Sequence, residues 1–248
     1  MTDFITTPEG RRIAVSAQPG KGPGIVFLHG LKSDMEGTKS VALAAWAWAE
    51  GRAFLRYDCS GHGLSDGRFE DGAIGDWFHD ACAAIRACTN GPQVLVGSSM
   101  GGWLALLIAR EQPDLVAGLV TIAAAPDFTE DGFWAGFSAE QRQALLTQGF
   151  VDLPSDYDAP YRISRRLIEE GRDRLVLRAP LRLPFPVRFL QGTADTSVPV
   201  ATALRLLDHA EGDDIRLSLV KGADHRFSTA DNLAQIQAAV AEVLARIG

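Results

Sequence analysis

The sequence is poor in the residues that build disulfide frameworks and metal sites. Its 248 residues include only three cysteines and five histidines, and both types are scattered along the chain. Cys59, Cys82 and Cys88 are too few for a disulfide framework, and no group of histidines and cysteines has the spacing of a metal site. We therefore expect no disulfide, no bound metal and no cofactor.

Long apolar runs and basic clusters are also missing. No apolar stretch approaches the roughly 20 residues that a membrane-spanning helix needs. The chain has 24 basic and 31 acidic residues, a net charge of -7, and no basic run, which disfavours nucleic-acid binding. The first ten residues have the pattern of neither a signal peptide nor an arginine-rich transit segment. These features predict a cytoplasmic protein with no membrane span and no nucleic-acid partner.

Strand-like and helix-like patterns alternate along most of the chain. Hydrophobic residues make up 46% of it, enough for one substantial core. The predicted strands are 4–7, 11–18, 24–30, 53–57, a run from residue 93, 116–125, 187–190 and 215–220. The predicted helices are 38–50, 75–89, 103–110, 139–148, 161–171, 200–210 and 231–246. This alternation predicts an α/β fold, with a mostly parallel sheet and helices on both faces.

Residues 128–180 interrupt the alternation. This stretch shows no convincing strand pattern and contains short helical pieces and several aromatic residues. We predict an inserted helical cap over the carboxyl edge of the sheet, within a single domain of residues 1–248. Trp134 and Phe137 have helical spacing, which suits either a small core of the cap or the lining of an acyl pocket.

The strongest motif surrounds Ser99. Residues 97–101 read GSSMG, a G-x-S-x-G pattern that follows an apolar run and precedes the helix-forming residues 103–110. In this strand–turn–helix context the pattern marks a nucleophilic serine at a strained turn. A Gly-Ser turn without chemistry is the alternative, and the context favours the nucleophile.

A serine nucleophile needs a base and a group that orients the base. Asp195 comes directly after the predicted strand 187–190, and His225 comes after the strand 215–220. The carboxyl ends of parallel strands lie at one edge of a sheet, so both loops are expected beside Ser99. The order Ser, Asp, His along the chain is also the order found with this motif. We predict Ser99, Asp195 and His225 as a catalytic triad.

Other acids and histidines were weighed against this choice. Asp127 also follows a strand and stays open as an alternative for the acid. Asp224 is adjacent to His225 in sequence, and neighbouring side chains rarely face each other well. The remaining histidines lie at a strand end, in a glycine-rich loop or on predicted helices: His29, His62, His79 and His209.

Backbone N–H groups near the serine complete the predicted machinery. Ester attack places negative charge on the carbonyl oxygen, and the N–H groups of Met100 and Leu31 are the expected oxyanion hole. Basic residues offer a further, weaker signal, because they suit either a solvated surface or contacts with an anionic substrate. They are Lys32, Arg162, Arg165 and Arg226.

Four segments resemble the α/β-hydrolase superfamily, and the similarity covers nearly the whole chain. They are residues 27–39 (FLHGLKSDMEGTK), 56–67 (RYDCSGHGLSDG), 91–103 (GPQVLVGSSMGGW) and 224–226 (DHR). Within the superfamily the chain is similar to mitochondrial acyl-protein thioesterases and acyl-glucuronide esterases. The resemblance implies Ser99 as nucleophile, Asp195 as acid and His225 as base, with no cofactor.

The residues and the resemblance together predict a serine hydrolase of carboxylic esters or thioesters. Its substrate would be a small ester or thioester or an acylated protein, with Lys32, Trp134, Phe137 and Arg226 as tentative substrate contacts. Two alternatives stay open: a carbon–carbon bond hydrolase of ring-cleavage products, and a catalytically idle binding module. Labelling by a fluorophosphonate separates the last from the enzymes.

Overall fold

The computed structural model of the protein describes residues 2–153 and 161–247. The strands are β1 (Asp3–Thr6), β2 (Arg12–Gln18), β3 (Lys21–Leu28), β4 (Arg52–Tyr57), β5 (Gln93–Ser98), β6 (Val116–Ile122), β7 (Phe150–Leu153), β8 (Tyr161–Ser164), β9 (Leu181–Arg182), β10 (Val187–Gly192), β11 (Ala210–Glu211) and β12 (Ile215–Val220). The helices are α1 (Thr38–Ala49), α2 (Ile74–Cys88), α3 (Met100–Glu111), α4 (Ala139–Gln148), α5 (Arg165–Arg172), α6 (Val200–His209) and α7 (Ala230–Ile247). Within this described part, no helix is both long and apolar enough to cross a bilayer.

Eight of these strands form one sheet, in the order β1-β2-β4-β3-β5-β6-β10-β12. Strands β1, β2 and β4 pair antiparallel, and every pair from β4 to β12 is parallel. The predicted α/β class, with a mostly parallel sheet and helices on both faces, is confirmed. Strand β5 lies inside the sheet, so its carboxyl end, which leads to Ser99, has neighbours on both sides.

Side chains on successive strand residues enter two different cores. Along β5, Leu95 packs into the core beneath α2 and α3, whereas Val94 and Val96 pack into the core beneath α1 and α7. All three are fully buried. A parallel strand covered on both faces needs a continuous apolar run, and the sequence supplies one here. The two helical layers therefore fix the sheet from both sides.

The segment between β6 and β10 differs from the prediction made for residues 128–180. We expected no strand there, yet β7 and β8 form an antiparallel hairpin, and the predicted helix 161–171 begins only at Arg165. The hairpin buries Val151 against Ile163 on one face. Four-residue strands are too short to produce a recognisable alternation in the sequence, so the pattern was missed.

A chain of aromatic rings joins the helical part of this segment to the main core. The Phe128 ring contacts Trp103 of α3 edge to face, the Phe133 ring contacts Phe128, and the Phe137 ring stacks on Phe133. Their centroids are 5.3 to 6.2 Å apart, in the range of favourable ring pairs. These rings therefore anchor the inserted segment on α3.

A buried carboxylate joins the two ends of the inserted segment. Asp127, at its start, is fully buried, and its two oxygens accept hydrogen bonds from the N–H groups of Val176 and Leu177 at 2.7 and 3.1 Å. The guanidinium of Arg178 pairs with the same carboxylate at 2.5 Å. Asp127 thus ties the beginning of the segment to its end.

We expect Asp127→Ala to lower the free energy of unfolding by about 3 kcal/mol, because it leaves two buried N–H groups and a paired arginine without their acceptor. Urea denaturation followed by tryptophan fluorescence measures the change. Asp131→Ala is the matched control: its carboxylate also pairs with Arg178 but is about one-third exposed, so we expect a loss of about 1 kcal/mol or less. Equal losses in the two variants would contradict the role of Asp127.

Candidate active site

Ser99 lies between β5 and α3 in a backbone conformation that side chains other than glycine rarely adopt. Its φ and ψ angles are 54° and −117°. Four backbone hydrogen bonds hold the strained residue: the Ser99 N–H donates to Ile122 O at 2.9 Å, and the Ser99 carbonyl accepts from the N–H groups of Gly102, Trp103 and Ala125. A strained residue held in this way is typical of functional sites.

Two glycines make the turn at Ser99 possible. A Cβ on Gly97 would lie 2.3 Å from the carbonyl oxygen of Gly101, and a Cβ on Gly101 would lie 2.1 Å from the carbonyl oxygen of Leu28. Both distances are far below van der Waals contact, so only glycine fits at either position. The glycines of the motif therefore let α3 begin directly against the ends of β5 and β3.

Hydrogen bonds link the three residues predicted as a triad in the order Ser99, His225, Asp195. His225 Nε2 lies 3.1 Å from Ser99 Oγ, and His225 Nδ1 lies 2.8 Å from Asp195 Oδ2. Ser99 follows β5, Asp195 follows β10 and His225 follows β12, all at the carboxyl edge of the sheet. The arrangement has the geometry in which a serine hydroxyl can pass its proton to an imidazole.

Asp195 is held in the charged form that such a site needs. Burial of its side chain opposes ionisation, but hydrogen bonds from His225, from the Val198 N–H and from Gln191 more than offset that effect and lower the pKa of the carboxyl. The Val198 and Ser197 N–H groups donate to Oδ1 at 2.8 and 2.9 Å, which leaves Oδ2 facing the imidazole.

Hydrogen bonds also join the loop of the acid to the loop of the histidine. The Gly222 N–H donates to Thr193 Oγ1 at 2.9 Å, and the Ala194 N–H donates to Ala223 O at 3.0 Å. Both bonds lie within three residues of Asp195 or His225. The separation of the carboxylate and the imidazole is thus fixed by backbone contacts as well as by their own hydrogen bond.

The two N–H groups predicted as an oxyanion hole flank the serine. Met100 is the first residue of α3, and Leu31 follows Gly30, whose Cα faces Ser99 so closely that a Cβ there would lie 3.3 Å from Ser99 Cβ. In residues 2–153 and 161–247, neither N–H donates a hydrogen bond to another protein group. The positive end of the α3 dipole lies at Met100, which favours negative charge beside it.

The alternatives for the acid are occupied elsewhere. Asp127 binds the end of the inserted segment, as described above, and Asp224 accepts a hydrogen bond from the Phe227 N–H at 3.0 Å. Only Asp195 pairs with the His225 ring among the described residues.

Two of the remaining histidines are buried and structural. His29 accepts from the Cys59 N–H and contacts Gly30 O through its other nitrogen, and burial lowers its pKa. Burial lowers the pKa of His62 to about 3. Both rings are therefore neutral near pH 7, and His29 supports the loop that leads to Leu31.

A cavity of about 290 Å³ opens beside Ser99 and His225. Three cations line it, Lys32, Lys39 and Arg226, against a single carboxylate, Asp34. Within the described ranges none of the three cations forms an ion pair, although most arginines of this acidic chain do. The cavity is thus more positive than the protein as a whole, whose net charge is -7.

The tentative substrate contacts predicted from sequence fall into two groups. Lys32 and Arg226 line the cavity with Ser99. Trp134 and Phe137 do not line it in the described structure: Phe137 is buried in the aromatic chain of the inserted segment, and Trp134 lies under the guanidinium groups of Arg142 and Arg172. Their helical spacing reflects packing within the segment, so the interpretation as a small core fits the structure.

Two residues near the site were missed by the sequence analysis. Gln191 Nε2 donates to Asp195 Oδ2 at 3.0 Å and to Val198 O at 3.0 Å, so it fixes the turn that carries the acid. Its position at the end of β10 was the available signal. Tyr161, the first residue of β8, lines the cavity, and the Lys32 ammonium lies 4.9 Å from its ring centroid. No sequence pattern placed Tyr161 near Ser99.

No group of three or more His, Cys, Asp or Glu side chains in residues 2–153 and 161–247 has the arrangement of a metal site.

Known proteins resemble this chain over most of its length. The palmitoyl-protein thioesterase ABHD10 of Bos taurus is 36% identical over 225 residues, which cover 90% of this chain and 73% of the relative. The human form is 34% identical over the same shares of the two chains. The predicted similarity to acyl-protein thioesterases is confirmed.

The same relatives correct the predicted location. The mammalian ABHD10 relatives from cattle, rat, human, orangutan and mouse are named as mitochondrial. This conflicts with the cytoplasmic location expected from the first residues, so that expectation is withdrawn. Ten residues at the start of a sequence were too little evidence for it.

Solved structures and a family model agree with these relatives. The structure of a hydrolase from Agrobacterium vitis S4 matches with a TM-score of 0.94 and 35% identity over 98% of both chains. Mouse ABHD10 matches with a TM-score of 0.92 and 31% identity over the full length of both. The model of the alpha/beta hydrolase family matches residues 25–246. On this evidence the chain belongs to the alpha/beta hydrolase family.

Proposed function

We propose that this protein is a serine hydrolase that cleaves carboxylic esters or thioesters through Ser99, His225 and Asp195. The observation that supports this most is the continuous hydrogen-bonded line from Ser99 Oγ through the His225 ring to Asp195 Oδ2. The palmitoyl-protein thioesterase relatives support hydrolysis of this class of acyl bond.

In the proposed first step, His225 Nε2 accepts the Ser99 proton as Oγ bonds to the acyl carbon. The carbonyl oxygen becomes an oxyanion and accepts hydrogen bonds from the N–H groups of Met100 and Leu31, and such a donor is worth about 3 kcal/mol. Asp195 holds the imidazole with Nδ1 protonated and stabilises the imidazolium.

In the second step the imidazolium returns its proton to the departing alcohol or thiol, which leaves an acyl group on Ser99. Water then attacks the acyl carbon, His225 accepts a proton from it, and Ser99 leaves with that proton to regenerate the enzyme. Residues 128–153 and 161–180 serve as a cap over this site in our proposal, since Tyr161 lines the same cavity as Ser99. Residues 154–160 of the predicted cap lie outside the described part of the chain.

The charges of the cavity support a substrate that carries an anionic group beside the scissile bond. Lys32 and Arg226 have no carboxylate partner among the described residues, and both line the cavity. A carboxylate on the leaving group, as in an acyl glucuronide, would satisfy them. An acylated protein with acidic residues near its thioester would satisfy them in the same way.

We expect Ser99→Ala to lower kcat for p-nitrophenyl esters by at least about 10⁴-fold, because the acyl-enzyme cannot form. A series from acetate to palmitate, together with a palmitoyl thioester, gives the acyl preference of the wild type. Ser218→Ala, on the exposed face of β12, is the control and should leave turnover unchanged.

Full turnover in Ser99→Ala would refute the proposal. Fluorophosphonate labelling of Ser99 without ester turnover would instead shift the assignment to a carbon–carbon bond hydrolase, which loss of absorbance from a dienol substrate would then reveal.

Asp195→Asn should lower kcat by about 10⁴-fold, since an amide favours the wrong imidazole tautomer. The substitution should also change how the stability of the folded protein depends on pH. The folded-state pKa of Asp195 is lowered, so its contribution to stability is present at neutral pH and is lost as the pH falls through that lowered value. Urea midpoints between pH 7 and pH 3 should therefore fall less in Asp195→Asn than in the wild type. An unchanged kcat would exclude Asp195 as the acid.

The double variant Lys32→Met/Arg226→Met tests whether these two cations bind an anionic group of the substrate. We expect KM for an acyl glucuronide to rise about 10-fold or more, since hydrogen bonds to charged groups are worth about 1.5 to 3 kcal/mol. The corresponding acyl glucose ester, which lacks the carboxylate, should change less than about twofold. Lys21→Met, an exposed cation at the start of β3, is the control. Equal changes for both esters would argue against charge recognition.

A further inference from the structure

The loop that carries His225 contains a second strained residue. Phe227, two positions after the histidine, has a φ angle of 48° and is fully buried in the core beneath α1 and α7. Its N–H donates to Asp224 Oδ1 at 3.0 Å. A non-glycine residue in this conformation is strained and persists only where its surroundings hold it. The peptide unit just before Phe227 is thus a point on which the position of His225 depends.

Lys39 holds that peptide unit from the opposite side of the cavity. It is the second residue of α1, and its Nζ donates to the carbonyl oxygen of Arg226 at 2.5 Å. The same oxygen accepts from Ser228 Oγ at 2.7 Å, but Ser228 belongs to the loop itself. Lys39 therefore reaches from α1 to the loop of His225 and bonds the carbonyl of Arg226, the residue that follows the histidine.

The bond is an unusual use of a lysine. Lys39 is only partly exposed, and in the described residues it has no carboxylate partner. A cation withdrawn from water without an opposite charge is costly, so its polar contact has to be favourable. A charged donor makes a shorter and stronger hydrogen bond to a carbonyl than a neutral one does.

We propose that Lys39 is a positioning residue, which fixes the peptide between Arg226 and Phe227 and thereby holds the His225 ring against Ser99. This inference rests on the proposed serine-hydrolase function. In this role Lys39 takes no part in making or breaking bonds. The role explains why a cation near the start of α1 contacts the loop that carries His225. Lys39 lines the cavity as well, so the experiment has to separate positioning from contact with substrate.

The charged surroundings of Lys39 predict how the bond responds to pH. Burial, together with the nearby positive charge of Arg226, lowers the pKa of Lys39 to about 8, and Asp224 opposes that shift. Lys32, Asp34 and His225 line the same cavity. Deprotonation above pH 8 converts a charged donor into a neutral one, which weakens the hold on the Arg226 carbonyl.

The test compares Lys39→Met and Lys39→Arg with the wild type on a neutral p-nitrophenyl ester. We expect Lys39→Met to lower kcat about 10- to 100-fold with KM within about threefold, because misplacement of a reacting group by about 1 Å costs up to about 100-fold. Its rate of labelling by a fluorophosphonate should fall by the same factor. Lys39→Arg should restore kcat to within about fivefold, and it should keep its activity at pH 9 to 10, where the wild type loses activity.

Lys221→Met is the matched control, since Lys221 is an exposed cation beside the same loop and bonds no loop carbonyl in the described structure. It should behave like the wild type. The inference is overturned if Lys39→Met keeps wild-type kcat, or if its defect is confined to KM for anionic esters. If Lys39→Met does not fold, the alkaline profile of Lys39→Arg decides, and a profile identical to that of the wild type overturns the inference. Ser99→Ala, measured alongside, tests the proposed function separately.

Discussion

The close approach of α3 to the ends of β3 and β5 is the contact on which the site depends. It brings the Gly101 backbone against the carbonyl of Leu28, forces Ser99 into a strained conformation, and places the N–H of Met100 at the positive end of a helix dipole. A single Cβ at Gly97 or Gly101 would separate these elements. The strained serine, one of the two proposed oxyanion donors and the local field therefore arise from one packing arrangement, and the strain is offset by the two cores on either side of the sheet.

Around that turn, polar side chains fix segments that the sheet alone does not hold. Asp127 bonds the end of the inserted segment, Gln191 fixes the turn that carries Asp195, and Lys39 bonds the loop after His225. Loss of the Asp127 carboxylate would leave two buried N–H groups without their acceptor. Loops at the carboxyl edge lack the regular hydrogen bonds of strands, so side chains have to supply their rigidity.

Much of this arrangement could be predicted because it follows from periodic patterns and chain order. The apolar run of β5 with its flanking glycines located Ser99, and the parallel topology brought Asp195 and His225 to the same edge. The hairpin of β7 and β8 was missed because four residues are too few to show an alternation. Lys39 could not be found either, since a bond across 187 residues to a backbone carbonyl leaves no trace in local sequence. The role of Trp134 depended on which way a helix faces, and spacing alone does not fix that.

The hydrogen bonds between the loop of Thr193 and the loop of Gly222 join Asp195 and His225 into one unit, and Ser99 lies on a separate part of the sheet. The carboxylate and the imidazole lie on loops bonded to each other beyond the neighbouring strands β10 and β12, whereas Ser99 follows β5, separated from β10 by β6. A change in sheet twist across β6 would therefore alter the distance from His225 Nε2 to Ser99 Oγ. It would leave the hydrogen bond between His225 Nδ1 and Asp195 Oδ2 intact. The separation of Ser99 Oγ and His225 Nε2 therefore depends on the relative placement of β5 and β10 on the two sides of β6.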